Sequence, residues 1–270
     1  MVAAAIKFVR KLPGFGPVTD HERELLAAEA ARLSKQHSAT ITGPQLVSIR
    51  NMEVALTAQR SGVRAQRFGE EIAKANSRGD SVLAIAARYN LPPVAVLRQI
   101  LIEDGHSAQA VRAMISDPAR LPEKLQREAD AVFKADMGSR YNATRVRANA
   151  ATYEDKLAEY LRGIGLKFLT EDEIRLAHEE RHSSGPLLTP DYLLTEKVRI
   201  NGAPVHWIDA KAYAMYGSEL VAKGIVKQAT KYNRAFGPGA MVFRGGVMCD
   251  ASVLPPTENP PLLLDGSHVT

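Results

Sequence analysis

The chain has 270 residues, 45% hydrophobic and 24% charged, with a formal net charge of +5. That suffices for one large domain or two ordinary ones, and no apolar run approaches the roughly 20 residues of a membrane span, so no membrane partner is expected. The one cysteine, Cys249, excludes an intramolecular disulfide and fits a reducing compartment, nuclear or cytoplasmic.

The charge is unevenly spread. Residues 1–150 carry 22 Lys and Arg against 15 Asp and Glu, whereas residues 151–270 carry 13 against 15. A basic half joined to a slightly acidic one suggests an anion-binding module beside a metal-holding one, although arginine-rich helices are also ordinary solvated faces. Residues 1–11 are basic, with no acid before Asp20. They are too short and too early-charged for a secretory signal, and an organelle-targeting reading stays open.

Residues 19–37 read as a helix capped at Thr19 or Asp20, and a second helix is expected from Pro44 to Gln59. Arg60, Arg64 and Arg67 follow at helical spacing, which suits a solvated face or contact with nucleic acid. Residues 80–103 are the best-defined element of this half. Asp80 is expected to cap Ser81–Tyr89, Asn90-Leu91-Pro92 makes a turn, and Pro93 starts a second helix. This is a helix-turn-helix pattern, but Pro93, Val94 and Ala95 are a poor set for reading bases. A further helix is expected over 123–136, and 138–150 reads as a polar connector and domain boundary.

The second half alternates. A helix is expected over Tyr153–Gly163, with Glu154 and Asp155 in its first turn, then a short strand at 166–169. Residues 171–182 are charged, either helix or loop; His178 and His182 lie four apart but have no third metal ligand nearby. Strands near 190–199 and 204–211 flank Asn201-Gly202, a strong hairpin signal. A helix over 218–235 and a strand over 240–244 complete the domain, and residues 251–270 read as a proline-containing tail.

Asp191 heads the first hairpin strand, and Asp209 and Lys211 share one side of the second. Two carboxylates can hold a hard divalent cation, and a lysine beside them can steady the attacking water; a surface ion pair on a hairpin would read the same way. The register decides. A plain two-residue turn sets Asp191 opposite Ala212, three positions past Asp209, a displacement of about 10 Å at ~3.3 Å per residue. A metal site therefore requires a wider turn or a bulge within 195–204.

The ordered pattern resembles the PD-(D/E)XK nuclease superfamily core: Pro190-Asp191 on one strand, Asp209-Ala210-Lys211 on the next, and Gln228-Ala229-Thr230-Lys231-Tyr232 on the following helix. More narrowly, Thr189-Pro190-Asp191, His206–Ala212 and Phe236-Gly237-Pro238-Gly239, with Asp117-Pro118 and Leu121-Pro122 before them, resemble the codanin-interacting nuclease family, known by its T-P-D motif. The resemblance covers roughly residues 80–245. It implies an α/β restriction-endonuclease-like domain, a mixed sheet flanked by helices, at 150–250. Before it, at 1–140, it implies an all-α, helix-turn-helix-like domain. It further implies a Mg²⁺ (or Mn²⁺) ion held by Asp191, Asp209 and Glu154, a catalytic Lys211, and Gln228 and Tyr232 facing the cleft. Nucleic acid and a codanin-like protein are the implied partners. Glu154 also fits a helix-start acid, and Trp207 fits a core plug. The expected activity is metal-dependent phosphodiester hydrolysis. The alternatives are an inactive nuclease-fold adaptor and a helix-turn-helix regulator.

Overall fold

Helix starts appear where capping chemistry is written into the chain. In the structure, a computed structural model describing residues 1–38, 40–180, 187–249 and 251–269, Thr19 closes a capping box with Glu22 at the head of α2 (Asp20–His37), after the short α1 (Val2–Val9). Thr42 and Gln45 do the same for α3 (Gly43–Arg67). That helix runs past the expected stop at Gln59, because Gly62 weakens a helix without breaking it. Arg60, Arg64 and Arg67 therefore all lie on α3.

The chain divides into two compact units, residues 3–147 and residues 148–270. The first contains α4 (Gly69–Ser77), α5 (Val82–Tyr89), α6 (Pro93–Glu103), α7 (Ala108–Ser116) and α8 (Glu123–Lys134). Ile72, Ile85, Leu97, Ile100, Leu125 and Val132 fill its core. Asp80 does not cap α5. Ser81 does, through Oγ to the Ala84 N–H, and Asp80 pairs instead with Arg88 at 2.8 Å. The start of α6 is turned inward: Pro93 is buried, Val94 and Ala95 pack on the core, and the Val94 N–H donates to Asp136 Oδ2 at 2.9 Å.

Residues 138–150 are not a connector. They open a 24-residue helix, α9 (Arg140–Gly163), within which the two units divide. Buried Asn142 secures its start, its amide bonded to the carbonyls of Phe133 and Asp136. Glu154 and Asp155 consequently lie about four turns into the helix, not in its first turn, and the helix dipole gives no account of them.

The second unit is built on a five-stranded mixed sheet in sequential order: β1 (Phe168–Thr170), β2 (Tyr192–Ile200), β3 (Ala203–Lys211), β4 (Ala240–Phe243) and β5 (Leu262–Asp265). The first three run antiparallel, and β4 and β5 run parallel to β3. Residues 171–180 settle as a helix, α10 (Glu171–Glu180). His182, and with it the His178–His182 spacing, lies outside the described residues. The region read as a tail carries β5, and Val269 is buried in this unit's core. Its four residues, which follow a proline-rich stretch, pair with β4 and cover what would otherwise be a free edge of the sheet.

Two helices cover opposite faces of this sheet. Tyr153, Leu157 and Leu161 of α9 pack with Ile208, Ala210 and Val242. α11 (Glu219–Phe236) covers the other face, where Trp207 lies with Asp209 and Lys211 by strand alternation. Trp207 is fully buried, donates to the Gly237 carbonyl at 2.9 Å, and meets Tyr232 edge-on with ring centroids 5.1 Å apart. It plugs the core. Gly239 makes that possible, since a Cβ there would stand 2.2 Å from the indole ring.

A candidate metal and phosphodiester site

The hairpin turn is tight, with Asn201 and Gly202 both at positive φ, 51° and 80°. Near the turn the register is regular: Ile200 faces Ala203 and Val198 faces Val205. Further on, Leu193 faces Trp207 and Tyr192 faces Ile208. Five steps along β2 match two along β3, so three residues bulge out between Leu193 and Val198. That excess equals the three-position offset expected of a plain hairpin. It carries Asp191 back by about 10 Å, level with Asp209. Asp191 Oδ2 accepts the Ala210 N–H at 2.6 Å. The turn is narrow and the bulge supplies the correction.

Asp209, 3% exposed, is held from two sides. Lys211 Nζ approaches both carboxylate oxygens, at 2.8 and 2.9 Å, and Gln228 Nε2 donates to Oδ2 at 2.8 Å. Gln228 also donates to the Tyr232 hydroxyl at 3.2 Å, and that hydroxyl donates to the Thr189 carbonyl at 3.0 Å. The Gln228/Tyr232 spacing of one helical turn thus serves a single network on α11. Glu154 and Asp191 line a cavity of about 460 Å³, together with Glu171, Asp172 and Tyr192.

The electrostatics follow from crowding like charges in a partly buried site. Burial and then the charge of Asp209 push Asp191 up to about 8, against the pull of the Ala210 N–H. Burial, then Asp209 and Glu171, raise Glu154 above the usual carboxylate range. Burial raises Tyr232 as well, so it stays a neutral donor. The donors offered to a cation are all hard carboxylate oxygens, which suits Mg²⁺ or Mn²⁺. Among the described residues no group of three or more acids, histidines or cysteines stands close enough together to hold a metal ion. Mg²⁺ needs none, because it keeps several waters and takes one or two carboxylates. Mutual repulsion among Asp191, Asp209 and Glu154 is what a divalent charge would relieve, and the residues fit such an ion.

The structure therefore joins Asp209, Lys211, Gln228 and Tyr232 in one hydrogen-bonded network, holds Asp191 beside it through the Ala210 N–H, and places Glu154 with Asp191 on the cavity wall. Sequence reasoning missed two participants. Glu171 lines the cavity, and the Thr189 hydroxyl donates to Glu171 Oε1 at 3.1 Å. The T-P-D spacing was the available signal for Thr189; Glu171 carried none.

A 122-residue stretch is 39% identical to uncharacterized protein L539 of Acanthamoeba polyphaga mimivirus, covering 44% of this chain and 40% of that protein. The Xenopus laevis protein named CDAN1-interacting nuclease 1 is 26% identical over 197 residues, 68% of this chain and 61% of the frog protein. The Danio rerio protein of the same name is 25% identical over 235 residues, 79% of this chain and 75% of its own. The chain thus spans about two fifths to three fifths of the first two relatives. No solved structure matches. The family model described as "Protein of unknown function TPD sequence-motif" matches residues 121–257, half of the chain and all of the hairpin and α11, and the chain belongs to that family.

Proposed function

We propose that the second unit is a restriction-endonuclease-like, PD-(D/E)XK-type phosphodiesterase that cleaves DNA or RNA with Mg²⁺ or Mn²⁺. The observation that carries this reading is the three-residue bulge. It brings Asp191 level with Asp209 and Lys211, where a regular hairpin would leave the acids about 10 Å apart.

Asp191, Asp209 and Glu154 would hold the cation, which when bound supplies a Lewis acid at the phosphate and lowers the pKa of bound water. The chain's own groups do the rest. Lys211, 15% exposed and paired with Asp209, keeps its ammonium at the cleft, where it orients the attacking water and offsets charge developing on the phosphate. Gln228 fixes the Asp209 carboxylate and Tyr232 fixes Gln228, so neither acid oxygen swings away when charge shifts. The positive balance of the first half adds phosphate contacts without sequence preference, so binding falls steeply with salt. A nucleic-acid substrate would fit a nuclear or cytoplasmic protein.

The test is cleavage of single-stranded, double-stranded and branched DNA and RNA with Mg²⁺ or Mn²⁺, comparing Asp209→Asn with the parent chain. Cleavage that needs the metal and is lost in Asp209→Asn supports the reading. Cleavage unchanged by the substitution refutes the site.

A second reading rests on the names of the relatives, which are called CDAN1-interacting. The same fold would then serve as an adaptor for a codanin-like partner, with or without catalysis. A folded chain that binds such a partner, binds no divalent ion and cleaves nothing would favour it. The helix-turn-helix regulator finds no such support, since the start of α6 is spent on packing and on Asp136.

A further inference from the structure

Thr189 spends both of its polar groups on the walls of the acidic cleft. Its hydroxyl donates to Glu171 Oε1, and its carbonyl accepts from the Tyr232 hydroxyl. Glu171 is the first residue of α10 and lines the same cavity as Glu154 and Asp191. Arg175, one turn on, pairs with the same Glu171 oxygen. Tyr232 leads through Gln228 to Asp209 and so to Lys211. A hydrogen-bonded chain therefore runs from Glu171 through Thr189, Tyr232, Gln228 and Asp209 to Lys211. It passes one residue from Asp191. Between Thr189 and Asp191 stands Pro190, buried, whose ring fixes φ and leaves little slack between them.

We propose that Thr189 is a positioning residue for the cation site: its hydroxyl holds the Glu171 carboxylate on the cavity wall, where that carboxylate faces the cation's water shell. This rests on the phosphodiesterase reading above. Two forces act on Glu171 without the hydroxyl. Repulsion from Glu154 drives it outward, and Arg175, half exposed, draws it toward solvent. A neutral donor on the inner side offsets both without cancelling the charge. Because Mg²⁺ keeps several waters, a carboxylate that binds those waters contributes to affinity without touching the metal. The three letters of the motif then divide the work. Threonine clips the wall, proline transmits its position, and aspartate meets the cation.

The experiment titrates Mn²⁺ into the full-length chain by calorimetry, with no substrate present, and compares Thr189→Val, Thr189→Ser, Glu171→Gln and Asp209→Asn. Glu171→Gln keeps an oxygen for Thr189 and removes only the charge. The expected result is Mn²⁺ affinity lowered about tenfold to a hundredfold in Thr189→Val and Glu171→Gln. Thr189→Ser should bind as the parent does. In cleavage at limiting metal, kcat should fall with KM for nucleic acid unchanged, and excess Mn²⁺ should restore it. If Asp209→Asn loses Mn²⁺ while Glu171→Gln binds it normally, Thr189 is structural and this proposal is overturned alone. If Asp209→Asn itself binds Mn²⁺ normally, the phosphodiesterase site fails and takes the proposal with it. Should Thr189→Val not fold, Glu171→Gln decides.

Discussion

Removing Thr195, Glu196 and Lys197 should leave the site in place. The deletion takes out the three-residue excess of β2, so Val198 would follow Leu194 directly. Val198 already faces Val205, and Leu193 already faces Trp207. With Leu194 falling opposite His206, the ladder becomes regular from the turn to Tyr192, and Asp191 stays level with Asp209. The losses are small and local. The Thr195 N–H bond to the Lys167 carbonyl, 3.0 Å, is worth about 0.5–1.5 kcal/mol. The Lys167–Glu196 pair, 2.7 Å and well exposed on both sides, is screened by solvent and contributes little. New ladder bonds offset part of this, so the net cost should stay within about 0.5–1.5 kcal/mol, a few degrees in thermal midpoint by circular dichroism. Mn²⁺ affinity, read by calorimetry, should stay within about threefold of the parent value, since 1.4 kcal/mol would be needed for tenfold. A deletion variant that folds with native-like circular dichroism but binds no metal would refute the argument. It would mean that the bulged residues themselves, and not the register they restore, place Asp191.

Two other outcomes test different parts of the account. Gly239→Ala drives a methyl to within 2.2 Å of the buried Trp207 ring and should cost about 1–3 kcal/mol or more by overpacking; an unchanged urea midpoint would show that the indole is not wedged there. The pH dependence of metal binding follows from Asp191, whose folded-state pKa, near 8, lies above its usual 3.8. Between those values the folded, metal-free chain holds a proton that a cation must displace, so stability without metal falls as pH rises through the window and metal affinity climbs. Apparent Mn²⁺ affinity should drop about tenfold per pH unit from 7 to 6, one proton being displaced; a flat profile would show that Asp191 is not a ligand.

What could be read without coordinates was chemistry that acts locally. Thr19, and Asn201 with Gly202, fix their elements through bonds to near neighbours, and both behaved as expected. The need for a bulge was legible too, because it is arithmetic on spacing, but its place at 194–197 depends on β1, which pairs with Leu193 and Leu194. Where tertiary contacts decide, the sequence was silent or misleading. The start of α9 looked like a polar connector because its anchor, Asn142, is buried against carbonyls of the last turn of α8 and of the loop after it. β5 comes directly after a run of prolines, and its four residues become a strand where β4 offers an edge. Glu171 belongs to the cleft only through Thr189, 18 positions away.

The charge balance of the cleft argues for a function beyond holding the hairpin together. A structural ion pair needs one acid and one base, and Asp209 with Lys211 already supplies it. Asp191 and Glu154 add negative charge where burial makes it costly, and among the described residues neither has an ion-pair partner of its own. Apolar residues of similar size would avoid that cost, since replacing buried ionic groups by well-packed apolar ones is often neutral or stabilising. The three-residue bulge increases the cost, because it draws Asp191 toward Asp209 where a regular hairpin would separate them. A fold that gives up ladder pairing to crowd like charges is spending stability on a site. Lys211 cannot meet the demand, being committed to Asp209 through both oxygens. Two species would: a proton on Asp191, or the divalent cation of the proposed reading. A group poised near neutral pH releases the first cheaply, so the repulsion that makes the cleft costly would also favour the second.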